Sequence, residues 1–231
     1  ICGRTDGRRL TLDCRGRGDR DAFFVADGGA LEFDDLTVHF FPKGSASRRS
    51  CFVDSSGTLT LAGCTVERSG QSPARQMIQA YGGLTTLERC SFVGGAGANE
   101  TGGGVTAADG EVRILGCTFA NLNLANPGVI EKRLSGRLIL ANTTLVGNKV
   151  QNGHGTLDIA ENASGEVLVL NCLFANEGTD IFYSPSVVPP SFKLCQTVCK
   201  VVSNPLWNAM TGCTLMGSDA ANAFVTDLQR I

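Results

Sequence analysis

Only two histidines, one tryptophan and two tyrosines occur in 231 residues, aromatics reach 6%, and positive and negative side chains nearly cancel at a net charge of −2. That balance excludes nucleic acid as the main partner, since neutralising phosphates requires a basic stripe. Arg4, Arg8, Arg9, Arg15, Arg17 and Arg20 cluster early, but Asp6, Asp13, Asp19 and Asp21 lie among them. No apolar run approaches the roughly 20 residues of a membrane-spanning helix, so no membrane span is expected. The shortage of histidine argues against a zinc centre: only His39 and His154 could join the cysteines, whose spacing matches no recognised ligand pattern. No metal and no cofactor are expected. No long window carries a 3.6-residue apolar period, which argues against a helical fold. The chain begins at Ile1 without a signal-like segment, as a mature chain or an excised fragment would.

What the chain does have is a repeat. Starting at Gly29, Gly57, Gly83, Gly110, Gly136 and Gly165, one template recurs every 26 to 29 residues. Its first apolar slot holds Leu31, Leu59, Thr85, Val112, Leu138 and Val167, and its second holds Phe33, Leu61, Leu87, Ile114, Leu140 and Val169. Alternation with a period of two is a strand signature. After a bend, a second strand turns Leu36, Cys64, Cys90, Cys117, Thr143 and Cys172 inward, followed two places on by Val38, Val66, Phe92, Phe119, Leu145 and Phe174. Upstream lies a third apolar patch: Phe24 and Val25, Phe52 and Val53, Ile78, Val105, Ile130, and Leu157 with Ile159. Three short strands per repeat describe one coil of a parallel β-helix, a unit that buries its core by stacking on its neighbours. The glycine at each template start is expected to serve a corner with an unusual backbone angle.

The predicted fold is therefore all-β: a right-handed parallel β-helix of about seven coils forming a single domain over 1–231. Residues 1–28 supply an N-terminal coil, counting an imperfect one at Leu10, Leu12 and Cys14, and 29–176 supply six regular coils. Residues 177–231 are expected to form an irregular coil and a cap, made by the Pro-rich Ser184 to Pro190 loop and a short helix from about Asp219 to Ile231. Covering an open β-helix end protects unpaired backbone.

Ten cysteines and sequons at Asn99, Asn142 and Asn162 point to a secreted, glycosylated chain of the eukaryotic secretory route. Cys64, Cys90, Cys117 and Cys172 form the core ladder and read as buried thiols filling space. Cys2, Cys14, Cys51, Cys195, Cys199 and Cys213 lie outside it and are the disulfide candidates, with 15 pairings open. Cys195 and Cys199, near Cys213, could staple the C-terminal end.

The coils Gly57 to Val66 and Gly110 to Phe119 resemble those of the right-handed parallel β-helix superfamily that includes pectate lyases, polygalacturonases and polymorphic outer-membrane-protein repeats. Gly28-Gly29-Ala30-Leu31 is similar to the Gly-Gly-Ala-aliphatic motif of the polymorphic repeats. Leu145-Val-Gly-Asn148 is similar to their Phe-x-x-Asn motif, whereas Phe119-Ala-Asn121 and Phe174-Ala-Asn176 are one residue short. The resemblance implies this fold; for activity, residues must be compared directly.

Polysaccharide-cleaving members of that superfamily mount acids and bases on adjacent coils, because acid–base cleavage needs two groups at a fixed separation. Gly153-His154-Gly155 resembles the Gly-His-Gly of polygalacturonases, but the accompanying motifs are missing, and Asp34-Asp35 precedes His154 by four coils. Arg113, Lys132, Arg133 and Arg137 lie on neighbouring coils and are the candidate contacts to an acidic glycan. Thr37, Thr65, Ser91, Thr118 and Thr144 point outward in one row, read as cross-strand pairing that stabilises the sheet. Arg17-Gly18-Asp19 offers a loop adhesion tripeptide. The expected function is that of a non-catalytic extracellular structural or adhesive β-helix, a subunit of a surface or fibrous assembly, with itself or other extracellular proteins as partners. The alternative is a carbohydrate-active enzyme or polysaccharide-binding β-helix, and no catalytic residue is assigned.

Overall fold

The computed structural model describes residues 1, 4–5, 8–14, 21–40, 51–68, 76–94, 103–124, 128–150, 154–183, 191–199, 210–211 and 214–215. These form an all-β parallel solenoid with no helix among the described residues. The first sheet stacks Phe23–Val25, Val53–Ser55, Ile78–Ala80, Val105–Ala107, Ile130–Lys132, Gly155–Ile159 and Thr179–Tyr183. The second stacks Ala30–Asp34, Thr58–Ala62, Leu84–Glu88, Glu111–Leu115, Arg137–Ala141, Glu166–Leu170, Ser191–Cys195 and Met210–Thr211. The third runs from Thr11–Asp13 through Thr37–Phe40, Thr65–Arg68, Ser91–Gly94, Thr118–Ala120, Thr144–Val150, Leu173–Glu177 and Val198–Cys199 to Thr214–Leu215. Val53 to Glu177, the regular body, makes about five turns. Arg4–Thr5 and Arg8–Arg9 add a separate antiparallel pair.

The columns read from the repeat are the observed registers. Leu59, Thr85, Val112, Leu138 and Val167 stack in order, as do Leu61, Leu87, Ile114, Leu140 and Val169. Both columns are buried and continue beyond the template into Phe192 and Leu194. The repeat is hard to see there because Ser191 follows the second-sheet register where earlier coils have residues beside a glycine. One apolar assignment changes: Phe24 is 69% exposed, and it is Phe23 that packs inward, edge-on to Phe33 and Phe52 at centroid distances of 5.1 and 5.7 Å. The expected cap at 184–190 and 219–231 lies outside the described residues.

Between the second and third sheets the chain turns on one left-handed residue per coil: Asp35, Gly63, Arg89, Gly116, Asn142, Asn171 and Gln196, with φ between 48° and 61°. The template-start glycines have another cause. Gly83 and Gly110 do adopt positive φ, but Gly57, Gly136 and Gly165 are needed for close approach: a Cβ on Gly165 would lie 1.9 Å from the Gly136 carbonyl oxygen.

The shortened motif at Phe174 is accommodated rather than lost. A bulge between Val146 and Lys149 absorbs one residue, so that Asn148 stacks on Asn176, its Nδ2 donating to Asn176 Oδ1 at 2.8 Å and to the Phe119 carbonyl at 3.0 Å. Both asparagines are buried. Asn121 instead occupies an exposed left-handed position, and the Leu122 N–H donates to Asn148 Oδ1.

Candidate functional site

Each strand of the first sheet is short, and in the central coils its first and third residues face the core. The middle residues form a second row: Phe24, Asp54, Gln79, Thr106, Glu131 and Asp158, in register from strand to strand. This row faces away from the core, yet from Gln79 to Asp158 it is buried, with Glu131 4% and Asp158 3% exposed. Burying polar groups is costly unless each finds a partner. Tyr81 Oη donates to Gln79 Oε1 at 2.8 Å, and Thr106 Oγ1 donates to Glu131 Oε2 at 3.3 Å. Arg133 Nη2 pairs with Glu131 Oε1 at 2.6 Å, and His154 Nδ1 meets Asp158 Oδ2 at 2.5 Å.

Two carboxylates on adjacent parallel strands stand about 4.8 Å apart at the backbone. Burial raises the Glu131 carboxyl above its ordinary range, against the pull of Arg133 and Thr106, and the nearby Asp158 adds to the rise. Asp158 is likewise raised by burial, opposed by His154 and by the Gly128 N–H. Both carboxyls therefore hold a proton more readily than free ones, with the half-exposed Arg133 and His154 at the edge of the row (48% and 36% side-chain exposure).

The candidate glycan contacts do not form one basic patch. Lys132 is fully buried, its ammonium donating to the Ala108 and Leu134 carbonyls at 3.1 and 3.0 Å and also to that of Arg133. Desolvation lowers it to about 8. Lys132 is thus a turn-closing residue. Arg113 and Arg137 lie on the second sheet, where Arg113 pairs with Glu111 at 2.5 Å and Arg137 pairs with Glu166. Arg133 belongs to the carboxylate row. Asp35 occupies a left-handed corner and pairs with Arg9 at 2.5 Å, whereas His154 precedes a first-sheet strand.

Cys14, Cys51, Cys195 and Cys199, expected as disulfide candidates, form no disulfide among the described residues. Cys14 and Cys199 are in the core, Cys199 following the third-sheet register below Phe174, while Cys195 is half-exposed in the second sheet. The bend between the second and third sheets separates the two. Cys2 and Cys213 lie outside the described residues, as do Asn99 and Arg17-Gly18-Asp19. Asn142 and Asn162 are exposed. Thr37, Thr65, Ser91, Thr118 and Thr144 stack in register, half-exposed, as the outward row expected.

The core-ladder cysteines do more than fill space. Cys64, Cys90, Cys117 and Cys172 donate Sγ–H to the carbonyls two residues earlier, of Ala62, Glu88, Leu115 and Leu170, at 3.1 to 3.5 Å. Thr143 and Thr197 do the same with a hydroxyl at 2.9 and 3.0 Å. A hydrogen bond with Cys117 pushes the Cys90 thiol up to about 12, and burial pushes Cys172 up to about 11. Cys90 and Cys172 therefore stay protonated at neutral pH.

Asp21, Cys51 and Asp54 bring three potential ligand atoms within 4.8 Å of one another. Asp21 Oδ1 already accepts the Cys51 N–H at 2.7 Å and its S–H at 3.1 Å, which is a sufficient reason for the cluster. Glu131 escapes sequence reasoning because its three-residue strand gives too short an alternation to mark an outward face, and Asp158 because its strand, Gly155–Ile159, holds only two apolar side chains, Leu157 and Ile159. The available signal is their equal offset from Ile130 and Leu157. Comparison with protein-family models, curated proteins and solved structures finds no significant match.

Proposed function

We propose that the chain is a secreted, glycosylated, non-catalytic β-helix with a structural or adhesive role, a rigid subunit of an extracellular surface or fibrous assembly. Its partners are further copies or other extracellular proteins. In this reading the solenoid is right-handed, has about seven coils with a C-terminal cap, and is built in the manner of the pectin-lyase-like superfamily, closest in style to the polymorphic outer-membrane repeats. The observation that carries the reading is the closed state of the carboxylate row. Glu131 and Asp158 are almost fully covered, and their oxygens are engaged by Thr106, Arg133 and His154. Catalytic carboxylates must present an oxygen to substrate. Electron microscopy of the purified native material tests it: filaments or ordered surface arrays are expected, whereas a discrete monomer that cleaves an acidic polysaccharide overturns it.

A second reading, a polysaccharide lyase, glycoside hydrolase or glycan-binding β-helix, is favoured by one observation. Two adjacent carboxyls with raised proton affinity have an imidazole and a guanidinium at their edge. Cleavage of a polysaccharide that Glu131→Gln and Asp158→Asn each abolish, with melting temperature retained, would establish it.

A further inference from the structure

The corner between the second and third sheets holds a feature that neither the carboxylate row nor the scaffold reading uses. In the last described coils, an open groove of about 320 Å³ runs along the axis beside the left-handed residues Asn142, Asn171 and Gln196. Thr144, Leu173 and Val198, which open successive third-sheet strands, form its other side and are half-exposed. The three amide residues are exposed, one per coil, and thus repeat at about 4.8 Å. Asn171 Nδ2 donates to Asn142 Oδ1 at 2.7 Å, which fixes the two side chains as a pair. No residue of the lining carries a formal charge.

This combination is selective. A charged ligand would find no counter-ion, and a wholly apolar one would strip water from three amides without replacing its hydrogen bonds. A pyranose ring meets both halves: its hydroxyls pair with carboxamides, which donate and accept, and its C–H face covers aliphatic side chains.

We propose that the groove binds a neutral hexopyranose unit, its hydroxyls held by Asn142, Asn171 and Gln196 and its apolar face lying on Leu173 and Val198. The proposal deepens the extracellular reading, on which it rests only for the presence of glycans around the protein. Two sources share the chemistry. One is a free neutral polysaccharide; the other is an N-linked glycan at Asn142, since the pair bond uses its Oδ1 and not the Nδ2 that would carry the sugar.

The test uses the full chain made without glycosylation, titrated with cellohexaose and followed through the methyl resonances of Leu173 and Val198. Saturable shifts at millimolar sugar are expected, with affinity falling at least tenfold in Asn171→Gly combined with Gln196→Gly. Glycine keeps the left-handed corner without strain, so an unchanged melting temperature confirms that the variant is folded. In a second arm, chain from a glycosylating host is compared with Asn142→Gln. Methyl shifts present only when the glycan is attached identify the chain's own sugar as the occupant. No response in either arm, or cellohexaose binding that the double glycine variant leaves unchanged, overturns the proposal. Filaments seen by microscopy alongside that result would leave the scaffold reading standing, so the two failures are distinguishable.

Discussion

At Cys117 the thiol donates to the Leu115 carbonyl at 3.5 Å and the Leu87 carbonyl at 3.4 Å, while the Cys117 N–H donates to Thr143 Oγ1 at 3.3 Å. The column therefore calls for a small γ-atom that both donates and accepts, which is why threonine replaces cysteine at 143 and 197. Cys117→Ala should cost about 1–2 kcal/mol, from lost sulfur contacts and lost corner bonds, and Cys117→Thr clearly less, both measured by urea unfolding. The same logic predicts thiol chemistry. In guanidinium without reductant, Ellman's reagent should find at least eight thiols per chain, since no disulfide joins the eight described cysteines. In the native protein Cys195, half-exposed, should react ahead of the buried seven. A denatured titre of four or fewer would reject this thiol assignment. Thr85 is the opposite case: it stands in the column of Leu59 and Val112, fully buried, and its hydroxyl has no hydrogen-bond partner among the described residues. Thr85→Val removes an unsatisfied polar atom at constant shape and should stabilise the fold by about 1 kcal/mol, read as a higher urea midpoint with the slope unchanged.

At the scale of elements, corners and strands differ in how much they write into the sequence. The second-sheet strands from Ala30–Asp34 to Ser191–Cys195 have five residues, enough for two inward positions separated by one outward, so their columns are legible from the spacing of apolar residues alone. First-sheet strands of three residues are not, and Phe24 is misread and Glu131 missed for that reason. The left-handed corner is also hidden, because Asp, Gly, Arg, Asn and Gln all occupy it and share a backbone angle rather than a chemistry. This tolerance is testable. Gly63 has φ of 61°, and a Cβ there would meet nothing nearer than 3.8 Å, so Gly63→Asn should change stability by less than about 1 kcal/mol. The buried row makes a separate prediction about pH. A carboxyl whose folded value is raised binds more protons folded than unfolded between the two values, so its contribution is most favourable below the unfolded value and is lost as pH rises through the folded one. For Glu131 burial sets that direction. Glu131→Gln keeps an acceptor for Arg133 and Thr106, so it should melt at a temperature that falls less than wild type's as pH rises from about 4.5 to 7. A parallel decline in both proteins would show that Glu131 is not the group responsible.

For the whole molecule, stability is a chain of interfaces between neighbouring turns, since each strand pairs mainly with the equivalents one turn before and after. Damage at one interface should therefore spread over a limited number of coils. Gly165 provides the lesion: its missing Cβ would stand 1.9 Å from the Gly136 carbonyl oxygen and 2.2 Å from that of Ser135, backbone atoms that cannot swing aside. Gly165→Ala must push two turns apart, and a cost of at least about 2–3 kcal/mol is expected from overpacking. If the core were one all-or-none unit, amides throughout the solenoid would lose protection together. With nearest-neighbour coupling, hydrogen exchange should instead accelerate most across the second-sheet strands Arg137–Ala141 and Glu166–Leu170, which pair with each other, and least at Thr58–Ala62. The aromatic contacts among Phe23, Phe33 and Phe52 add local stability at that distant end. Peptide-resolved exchange on wild type and Gly165→Ala, both below their melting temperatures, measures the gradient directly. Uniform acceleration from Thr58 to Leu170 would mean that rigidity is carried by the solenoid as a whole, and the proposed structural role would then depend on every coil equally.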